Sequence, residues 1–415
     1  MSLTPTRKEQ VSWAFYSWAN HAFATTILVG FFPIFFDRYW AKGVAGTTST
    51  FYLGVTNSSA ALIVMVMAPW LGALADRRGY KKRFLSLFTV LGVAASAGLA
   101  LIGEGQWLLA ATVFALGSVG FYAGSSFHDA LLVQVAQPQE SDRVSAFGYA
   151  MGYLGGGLLF VADVLMVLHP GWFGLADAAA ATRVAFVTVA IWWALFALPL
   201  FRNVPEPAAV AATATWRELW ETMKKVINDR PVRNFLLAYW LYIDALGTVQ
   251  QMAVDFGAKL GFSTSTLITA LLMVQFISFP AAIAFGRIAG VIGTRRAIYI
   301  GLATFIFVTC WAYVLRTERQ FYLMAAVVAL VQGGVQSLSR SFFSRLIPRA
   351  RAGEYFGFYN MLGKFAAVLG PLTVGVVARV TGDQHLSILA LIAFFIAGAA
   401  LLARVPSEPG PEPLR

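Results

Sequence analysis

A chain of 415 residues that is 58% hydrophobic and only 12% charged carries about half the charged fraction of an ordinary soluble domain. Its mean hydropathy of +0.68 and its apolar runs of about twenty residues exclude a soluble globular domain and indicate a polytopic membrane protein. A net charge of +11 would suggest a nucleic-acid partner in a soluble protein, but these basic residues lie between apolar runs, where orientation in an anionic-lipid membrane accounts for them and no nucleic acid is expected.

After a short basic lead at Pro5–Gln10, apolar segments fall at about 12–36, 50–72, 84–103, 106–134, 144–168 and 184–201. A polar stretch from Arg202 to Arg233 follows, and a second set falls at about 234–256, 265–289, 297–315, 320–346, 355–378 and 386–403. The first run is too long and too aromatic for a cleavable signal and has no small-residue cleavage site, so it is expected to remain as helix 1. The pattern predicts an all-α polytopic membrane protein with about twelve transmembrane helices in two pseudo-symmetric six-helix bundles. The expected divisions are a first bundle at 1–202, a linker at 203–232 and a second bundle at 233–415. Cys310 is the single cysteine, so no internal disulfide and no thiol cluster for a metal is expected.

With the N-terminus inside, 22 of the 31 Lys and Arg residues fall on the cytoplasmic side, seven fall outside, and Arg340 and Lys364 fall within spans. That bias places both termini in the cytoplasm. Between helices 2 and 3 stands Gly72-Ala73-Leu74-Ala75-Asp76-Arg77-Arg78-Gly79-Tyr80-Lys81-Lys82-Arg83. Its glycines allow a tight reversal and its basic residues cannot enter lipid, as in any positive-inside loop. The spacing of Gly72, Asp76, Arg77, Gly79, Lys81, Lys82 and Arg83 also resembles the signature loop of major facilitator superfamily transporters, with every fixed position filled. The resemblance implies that Asp76 latches the cytoplasmic ends of the two halves by sitting near the N-terminus of helix 11, where the dipole favours an anion.

In the linker, Pro205, Pro207 and an Ala-rich run read as a flexible exit from helix 6. Thr215-Trp216-Arg217-Glu218 has the form of a capping box. Trp216, Leu219, Trp220, Met223, Val226 and Ile227 then recur at helical spacing opposite Arg217, Glu221, Lys224 and Lys225. This predicts an amphipathic helix, lying either in the cytoplasmic membrane interface or on the loops. The halves also echo one another. Gly286-Arg287 stands 214 residues after Gly72, and Pro348 with Phe356-Gly357-Phe358 stands about 210 after Pro138 with Phe147-Gly148-Tyr149. Duplicated six-helix units around a central site are the pattern of rocking transporters.

Ionisable groups within spans are costly and suggest function. Helix 1 carries Asn20 and His21, helix 4 His128 and Asp129, helix 5 Asp163, helix 7 Asp244 with Gln250 and Gln251, helix 10 Gln332, Gln336 and Arg340, and helix 11 Asn360 and Lys364. At about 1.5 Å per residue, Asn20, Asp244 and Lys364 lie near the midplane, and Asp129 and Arg340 nearer the cytoplasmic ends. Asp129 and Arg340 are expected either to form a structural ion pair at an inner gate or to touch substrate. Lys364 either snorkels, neutralises Asp244 or meets substrate. Asp244 is the foremost site candidate, because a carboxylate in low dielectric can exchange a proton near neutrality. His21 and His128 read as packed rings, and Asp163 as a residue in or near the outer mouth. Trp18 either stacks on substrate or fills a helix–helix groove. The glycine runs Gly155-Gly156-Gly157, Gly333-Gly334 and Gly370-Pro371 read as packing surfaces.

A narrower resemblance rests on Tyr16-Ser17-Trp18-Ala19-Asn20-His21-Ala22-Phe23-Ala24-Thr25-Thr26, on Gln332-Gly333-Gly334-Val335-Gln336-Ser337-Leu338-Ser339-Arg340-Ser341 through Leu346-Ile347-Pro348, and on Glu354-Tyr355-Phe356-Gly357-Phe358-Tyr359-Asn360 with Gly363-Lys364. These segments are similar to helices 1, 10 and 11 of the family of vacuolar amino-acid effluxers, whose bacterial members are called the unknown major facilitator family. Ser17 stands where that family usually has Asp, and His21 where it has Ser. Helices 1, 4, 7 and 10 line the cavity in major facilitators while 3, 6, 9 and 12 face lipid, and the interiors of those last four carry no ionisable residue here.

The resemblance implies a secondary transporter of the inner, plasma membrane. The expectation is proton-coupled export of a small organic solute, an amino acid or a similar metabolite, by alternating access. A monomer is expected, with no cofactor and no enzymatic activity. The sites would be Asn20, Asp129, Asp244, Arg340, Lys364, Trp18, Gln336 and Asn360. No Gly-x-x-x-x-Gly-Lys-Ser/Thr loop occurs, so ATP is not the expected driver. Two alternatives stand: a transporter of lipid-like amphiphiles or hydrophobic drugs, and a non-transporting receptor or scaffold.

Overall fold

A bilayer core offers no water to a peptide group, so each apolar run closes its own hydrogen bonds as a helix. The computed structural model describes residues 5–44, 46–209, 216–381 and 384–406, and every regular element among them is helical. Along the chain the membrane helices are α1 (Arg7–Trp40), α2 (Gly46–Arg78), α3 (Lys81–Leu99), α4 (Trp107–Val135), α5 (Ser141–Leu168), α6 (Ala178–Asn203), α7 (Arg230–Lys259), α8 (Thr264–Ile292), α9 (Thr294–Tyr313), α10 (Glu318–Leu346), α11 (Ala352–Thr381) and α12, which is broken into Gln384–Leu389 and Leu391–Leu402. Among the described residues nine helices are long and apolar enough to cross a membrane by length and composition alone. Helices α7, α11 and α12 complete the two sets of six.

The helices outrun the apolar segments that predict them, because hydropathy marks only the part of a helix that lipid covers. Helix α2 continues to Arg78, so Gly72, Asp76 and Arg77 stand on its last turns and the reversal is confined to Gly79-Tyr80. Gly79 has φ +65°, and Gly293, 214 residues later between α8 and α9, has φ +90°. Only glycine takes such values without strain, so the duplicated unit keeps the same turn residue in both halves. Helix starts are fixed by side-chain caps. Thr6 and Glu9 form a capping box on α1, Thr317 and Gln320 another on α10, and Asp177 accepts from Ala180 N at 2.7 Å on α6.

The linker forms a helix at Trp216–Asn228. Thr215 and the side chains of Trp216, Arg217, Glu218 and Leu219, which carry the expected capping box, lie outside the described residues, as does Arg415. Val226 is buried and Met223 packs on the second bundle, while Trp220 and Ile227 are more than half and half exposed. One edge of the apolar stripe is therefore on protein and the other is free.

In the first bundle α1 packs on α5 and α6, α3 on α4 and α6, and α2 on α4. In the second, α7 packs on α11 and α12, and α10 on α8 and α9. The bundles meet mainly through α2 with α11 and α5 with α8. Exposed apolar side chains such as Leu87 on α3, Ile191 on α6, Phe307 on α9 and Ile396 on α12 form the lipid surface. Helix α1 lies on a row of α5 glycines: Gly148 receives Trp13, Gly152 receives His21, Gly155 receives Trp18 and Gly156 receives Thr25. Two stretches of α1, Phe23–Phe31 and Phe36–Trp40, are π-helical.

Inter-bundle hydrogen bonds among the described residues lie between the midplane and the face that holds the Gly79-Tyr80 turn, here the turn face. The farthest from that face joins Gln275 Nε2 to Thr25 Oγ1 at 3.1 Å. The turn face is closed, and α2 and α11 cross there almost in backbone contact. A Cβ on Gly72 would stand 2.2 Å from the Gly353 carbonyl oxygen. Gly72→Ala therefore forces two backbones apart, an overpacking cost of about 1–3 kcal/mol against the closed state. In a Cys310→Ala background, a cysteine placed at Ser344 is expected to react several-fold faster in Gly72→Ala than in Gly290→Ala, whose Cβ would meet open space. Equal rates would show that the crossing does not hold the turn face shut.

Candidate functional site

Arg340 of α10 reaches into a pocket built wholly by the first bundle. Its Nη1 donates to Asp129 Oδ1 at 2.8 Å, its Nε to Ser145 Oγ at 2.9 Å and its Nη2 to the Ser145 carbonyl at 2.9 Å. The guanidinium plane lies 4.7 Å from the ring centre of Trp13 and 4.5 Å from that of Tyr149. The second oxygen of Asp129 accepts from Asn360 Nδ2 of α11 at 3.3 Å. Both charges are out of water, with Arg340 3% and Asp129 9% exposed. Of the two expected roles, the geometry supplies the ion pair, and every Arg340 donor named above is engaged.

His128 precedes Asp129 and helps to shape this pocket. It stacks between Trp13 at 4.4 Å and Tyr16 at 4.9 Å, and its Nε2 lies 2.9 Å from the Trp13 carbonyl. Trp13 Nε1 returns a bond to the His128 carbonyl at 2.8 Å. The reciprocal bonds fix α1 to α4 two turns of α1 below Asn20.

Nearer the midplane, Asn20 Nδ2 donates to Ser125 Oγ at 3.4 Å, and its Oδ1 lies 3.1 Å from His21 Nδ1. Lys364 Nζ stands 3.5 Å above the Tyr122 ring. Its electrostatic partner is Asp129 rather than Asp244, the partner weighed in the sequence. One carboxylate, Asp129, thus faces two basic side chains, Arg340 and Lys364, so the cluster holds one more basic group than acid. Asp244 lies apart from it on α7. It is 1% exposed, and neither carboxylate oxygen makes a well-formed hydrogen bond among the described residues. Its walls are Thr248 and the backbone of Gly370, where a Cβ would come 2.0 Å from Thr248 Oγ1 and 3.1 Å from Asp244 Oδ1.

At the turn face Asp76 accepts from Gly353 N at 3.0 Å and Glu354 N at 2.8 Å, the first turn of α11, and pairs with Lys81 at 2.6 Å. A carboxylate on exposed N–H groups at a positive helix end is the favourable polarity. Lys82 has a different duty. Its Nζ donates to the Phe201 and Val204 carbonyls at the end of α6, and its backbone N–H donates to Glu206 at 2.8 Å. Arg83 lies 4.4 Å over the Tyr80 ring, and Arg77 shares the turn of Asp76 without entering the latch bonds just named.

The sequence reading missed a second latch. Asp142, in the first turn of α5, accepts from Ser341 Oγ at 2.5 Å and Arg345 Nη1 at 2.9 Å through Oδ1, and from Thr294 Oγ1 at 2.6 Å through Oδ2. Arg345 Nη2 also donates to Thr294 Oγ1 at 2.6 Å. Arg349 reaches the carbonyls of Val133 and Ala136 at the end of α4. The available signal was an acidic residue in a first helical turn, on the face where Arg345 and Arg349 counted only toward orientation.

Other candidates stand elsewhere. Trp18 fills the groove between α1, α5 and α6, stacked on Trp192 at 5.7 Å and laid on Gly155. Gln332 is bound inside the second bundle by Gln250 at 2.5 Å and Ser278 at 3.0 Å, while Gln336 is half-buried on the next turn of α10. The side chain of Gln251 lies outside the described residues. Asp163 is not at a mouth: it is 1% exposed and bonded to Thr188 of α6 at 2.8 Å.

A family profile described as "Vacuole effluxer Atg22 like" matches residues 39–139 and 133–412. The uncharacterized MFS-type transporter YxiO of Bacillus subtilis (strain 168) is 36% identical over 416 residues, covering 97% of this chain and 95% of the relative. Autophagy-related protein 22 of Yarrowia lipolytica is 24% identical over 336 residues, covering 70% of this chain and 55% of its own length, so the match spans about half of that fungal relative. Among solved structures, the human organic anion transporter MFSD10 superposes with a TM-score of 0.75 at 16% identity, over 96% of this chain and all of that one. The proton:xylose symporter XylE superposes with 0.72 at 13% identity, over 96% and 94%. These low identities speak for the fold: two six-helix bundles of the major facilitator type. The profile runs from the end of α1 through α12 and the Bacillus relative covers nearly the whole chain, and the chain is a multi-pass membrane transporter belonging to the Atg22-like vacuole effluxer family of the major facilitator superfamily.

Proposed function

We propose that this transporter moves a small carboxylate-bearing organic solute, such as an amino acid, by alternating access coupled to protons. Residues 1–202 and 233–415 would rock about the midplane, joined by the linker at 203–232. The observation that carries this reading is the inter-bundle charge cluster. Asp129 and Arg340 sit on different bundles and are buried together only while the turn face is shut. Lys364 leaves that cluster one basic group in excess, with which a solute carboxylate would pair. Asn20 and Asn360 supply adjacent polar contacts. Asp244, buried without a cation beside it among the described residues, is the coupling carboxylate of this reading. The basic bias of the turn face supports a cytoplasmic side for that face and both chain ends, and this reading sets the transporter in the plasma membrane. Export is the direction in keeping with the effluxer family. The lipid-like alternative drew on aromatics near Asn20 and on modest cavity charge, and the seat of Trp18 between α1, α5 and α6 takes one of those aromatics out of the cavity.

Three outcomes test the reading in proteoliposomes and detergent. Asp244→Asn is expected to abolish proton-driven accumulation while solute counterflow persists; accumulation at wild-type level would remove Asp244 from coupling. Lys364→Gln forfeits a charge-assisted bond of about 1.5–3 kcal/mol, so affinity for carboxylate solutes should fall about 10- to 100-fold in calorimetric titration. An unchanged affinity would place the carboxylate elsewhere. Asp129→Asn and Arg340→Gln each strand one buried partner, at about 3–5 kcal/mol, whereas the double substitution strands neither. The midpoint of thermal unfolding should fall further in each single variant than in the double, and simple additivity would deny the pair its coupling.

A further inference from the structure

Asp163 lies inside the first bundle, away from the central cluster, and its surroundings specify a ligand. The side chain is 1% exposed. Thr188 Oγ1 of α6 stands 2.8 Å from Asp163 Oδ1 and also 2.8 Å from the Ala185 carbonyl. A threonine hydroxyl has one hydrogen. If that hydrogen points to the carboxylate, the hydroxyl oxygen is left facing the Ala185 carbonyl oxygen with no proton between them. If it points to Ala185, the Thr188 oxygen faces Asp163, and the contact is attractive only when the carboxyl carries a proton. The other oxygen, Oδ2, is buried and makes no well-formed hydrogen bond among the described residues. Thr26 of α1 faces the same carboxyl, but its wholly buried hydroxyl is not placed for a well-formed hydrogen bond to it.

No counter-charge stands nearby among the described residues. The polar neighbours of Asp163 are Thr188 and Thr26. On α1 the charged groups are Arg7, Lys8 and Glu9 at its start and the exposed Asp37 and Arg38 at its end. His21 of α1 is turned to Asn20. On α6, Arg183 donates to the Ala100 carbonyl at 2.7 Å and Arg202 is at the turn face. On α5, Asp142 and Arg143 are at the turn face. Helix α8 carries Arg287 near its end, and α10 carries the exposed Glu318 and Arg319 at its start and Arg340 and Arg345 on Asp129 and Asp142. An ionised Asp163 would be an isolated charge in a low-dielectric interior, which costs several kcal/mol.

We propose that Asp163 is a proton-binding site of the first bundle, separate from Asp244, in which the neutral acid donates to Thr188 and Thr188 in turn donates to the Ala185 carbonyl. Thr26, which closes the pocket, belongs to the π-helical stretch Phe23–Phe31. The same stretch packs on α5 one turn from Asp163, with Gly30 and Phe31 against Phe160. A π-helical turn has a looser hydrogen-bond ladder than its flanks, so the wall that isolates the proton is the part of α1 best able to re-register and release it. The ligand is the proton itself. The three side-chain groups present are too few to replace the shell of an alkali cation, and the Thr188 relay needs a hydrogen where a metal ion would sit.

The test is infrared difference spectroscopy on the intact protein in detergent, read in the carbonyl-stretch region of protonated carboxylic acids. Wild type minus Asp163→Asn is expected to show an acid band at neutral pH that disappears on alkaline titration. Asn can donate to Thr188 as the acid does, so this variant should keep the wild-type fold. Thr188→Val should shift the same band to higher frequency, because the acid loses its acceptor, and this arm decides the matter if Asp163→Asn does not fold. Identical acid bands in wild type and folded Asp163→Asn, or no shift in Thr188→Val, would overturn the proposal. So would conversion of the band to a carboxylate signal on replacing choline by sodium at constant pH, which would mark an alkali-cation site.

Discussion

Two charges removed from water on opposite sides of an interface are tolerable only while the interface exists. Arg340 and Asp129 impose that condition on this protein. Desolvation costs several kcal/mol per ion, and the bonds from Ser145 and Asn360 and the rings of Trp13 and Tyr149 offset it only with the bundles in contact. The other latches obey a common polarity. Asp76, Asp129 and Asp142, the carbonyls of Val133, Ala136 and Ser145, and the Thr25 hydroxyl all accept, and all belong to the first bundle. Their donors are Gly353 and Glu354 N–H, Arg340, Arg345, Arg349 and Gln275, all of the second. The Ser145 hydroxyl, which donates to Ser337, runs the other way. An acceptor surface meeting a donor surface recloses in one register, because sliding either bundle sets like groups against each other.

Duplication explains how two such surfaces arose on one fold. The turn glycines Gly79 and Gly293 keep an offset of 214, and Gly72 and Gly286 keep it too, each at a close inter-bundle crossing. The scaffold is repeated while the chemistry is not. Arg340 stands 211 residues after Asp129, at an equivalent depth of the equivalent helix, with the opposite charge. Pseudo-symmetry brings equivalent positions near the central axis to face one another, so divergence in sign at a single repeated position yields an inter-bundle ion pair. The same logic separates Asp76 from Gly290, its counterpart 214 residues on, where the second bundle has no acid and the first supplies Asp142 instead.

Periodicity and charge alone carried the helix count, the two bundles, the turn and the equivalent depth of Asp129 and Arg340, because each depends on depth along a helix, and depth is residue number times rise. Direction around a helix was not legible in the same way. A buried helix is apolar on most sides, so its pattern does not say which neighbour a given side chain meets. Trp18, two residues from Asn20, turns to α6 while Asn20 turns to α4. Lys364 lies at the depth of Asp244 yet faces Asp129. In α1 the π-helical stretch changes the angular step between residues, so Thr26 arrives over Asp163 against any reading based on an ordinary helical period. Asp142 escaped for another reason. Loop charges were read for sidedness, and sidedness says nothing about pairing.

Division of labour follows from these placements. The turn-face carboxylates are saturated: Asp76 and Asp142 take protein donors on both oxygens, and Asp129 does so as well. A carboxylate with both oxygens held by protein donors has little left for a solute, so in the proposed cycle these residues set the energy of the closed state rather than recognise cargo. The unsaturated groups lie deeper. Lys364 has an aromatic face beneath it and an already paired carboxylate for company, and Asp244 has a buried carboxyl with no well-formed bond among the described residues. In the proposed cycle a solute carboxylate at Lys364 competes with the residual pull of that cation on Asp129, which loosens the charge cluster from within. Loading and opening of the turn face then share one electrostatic cause, and the strength of the latch sets how much of the solute's binding energy the opening consumes.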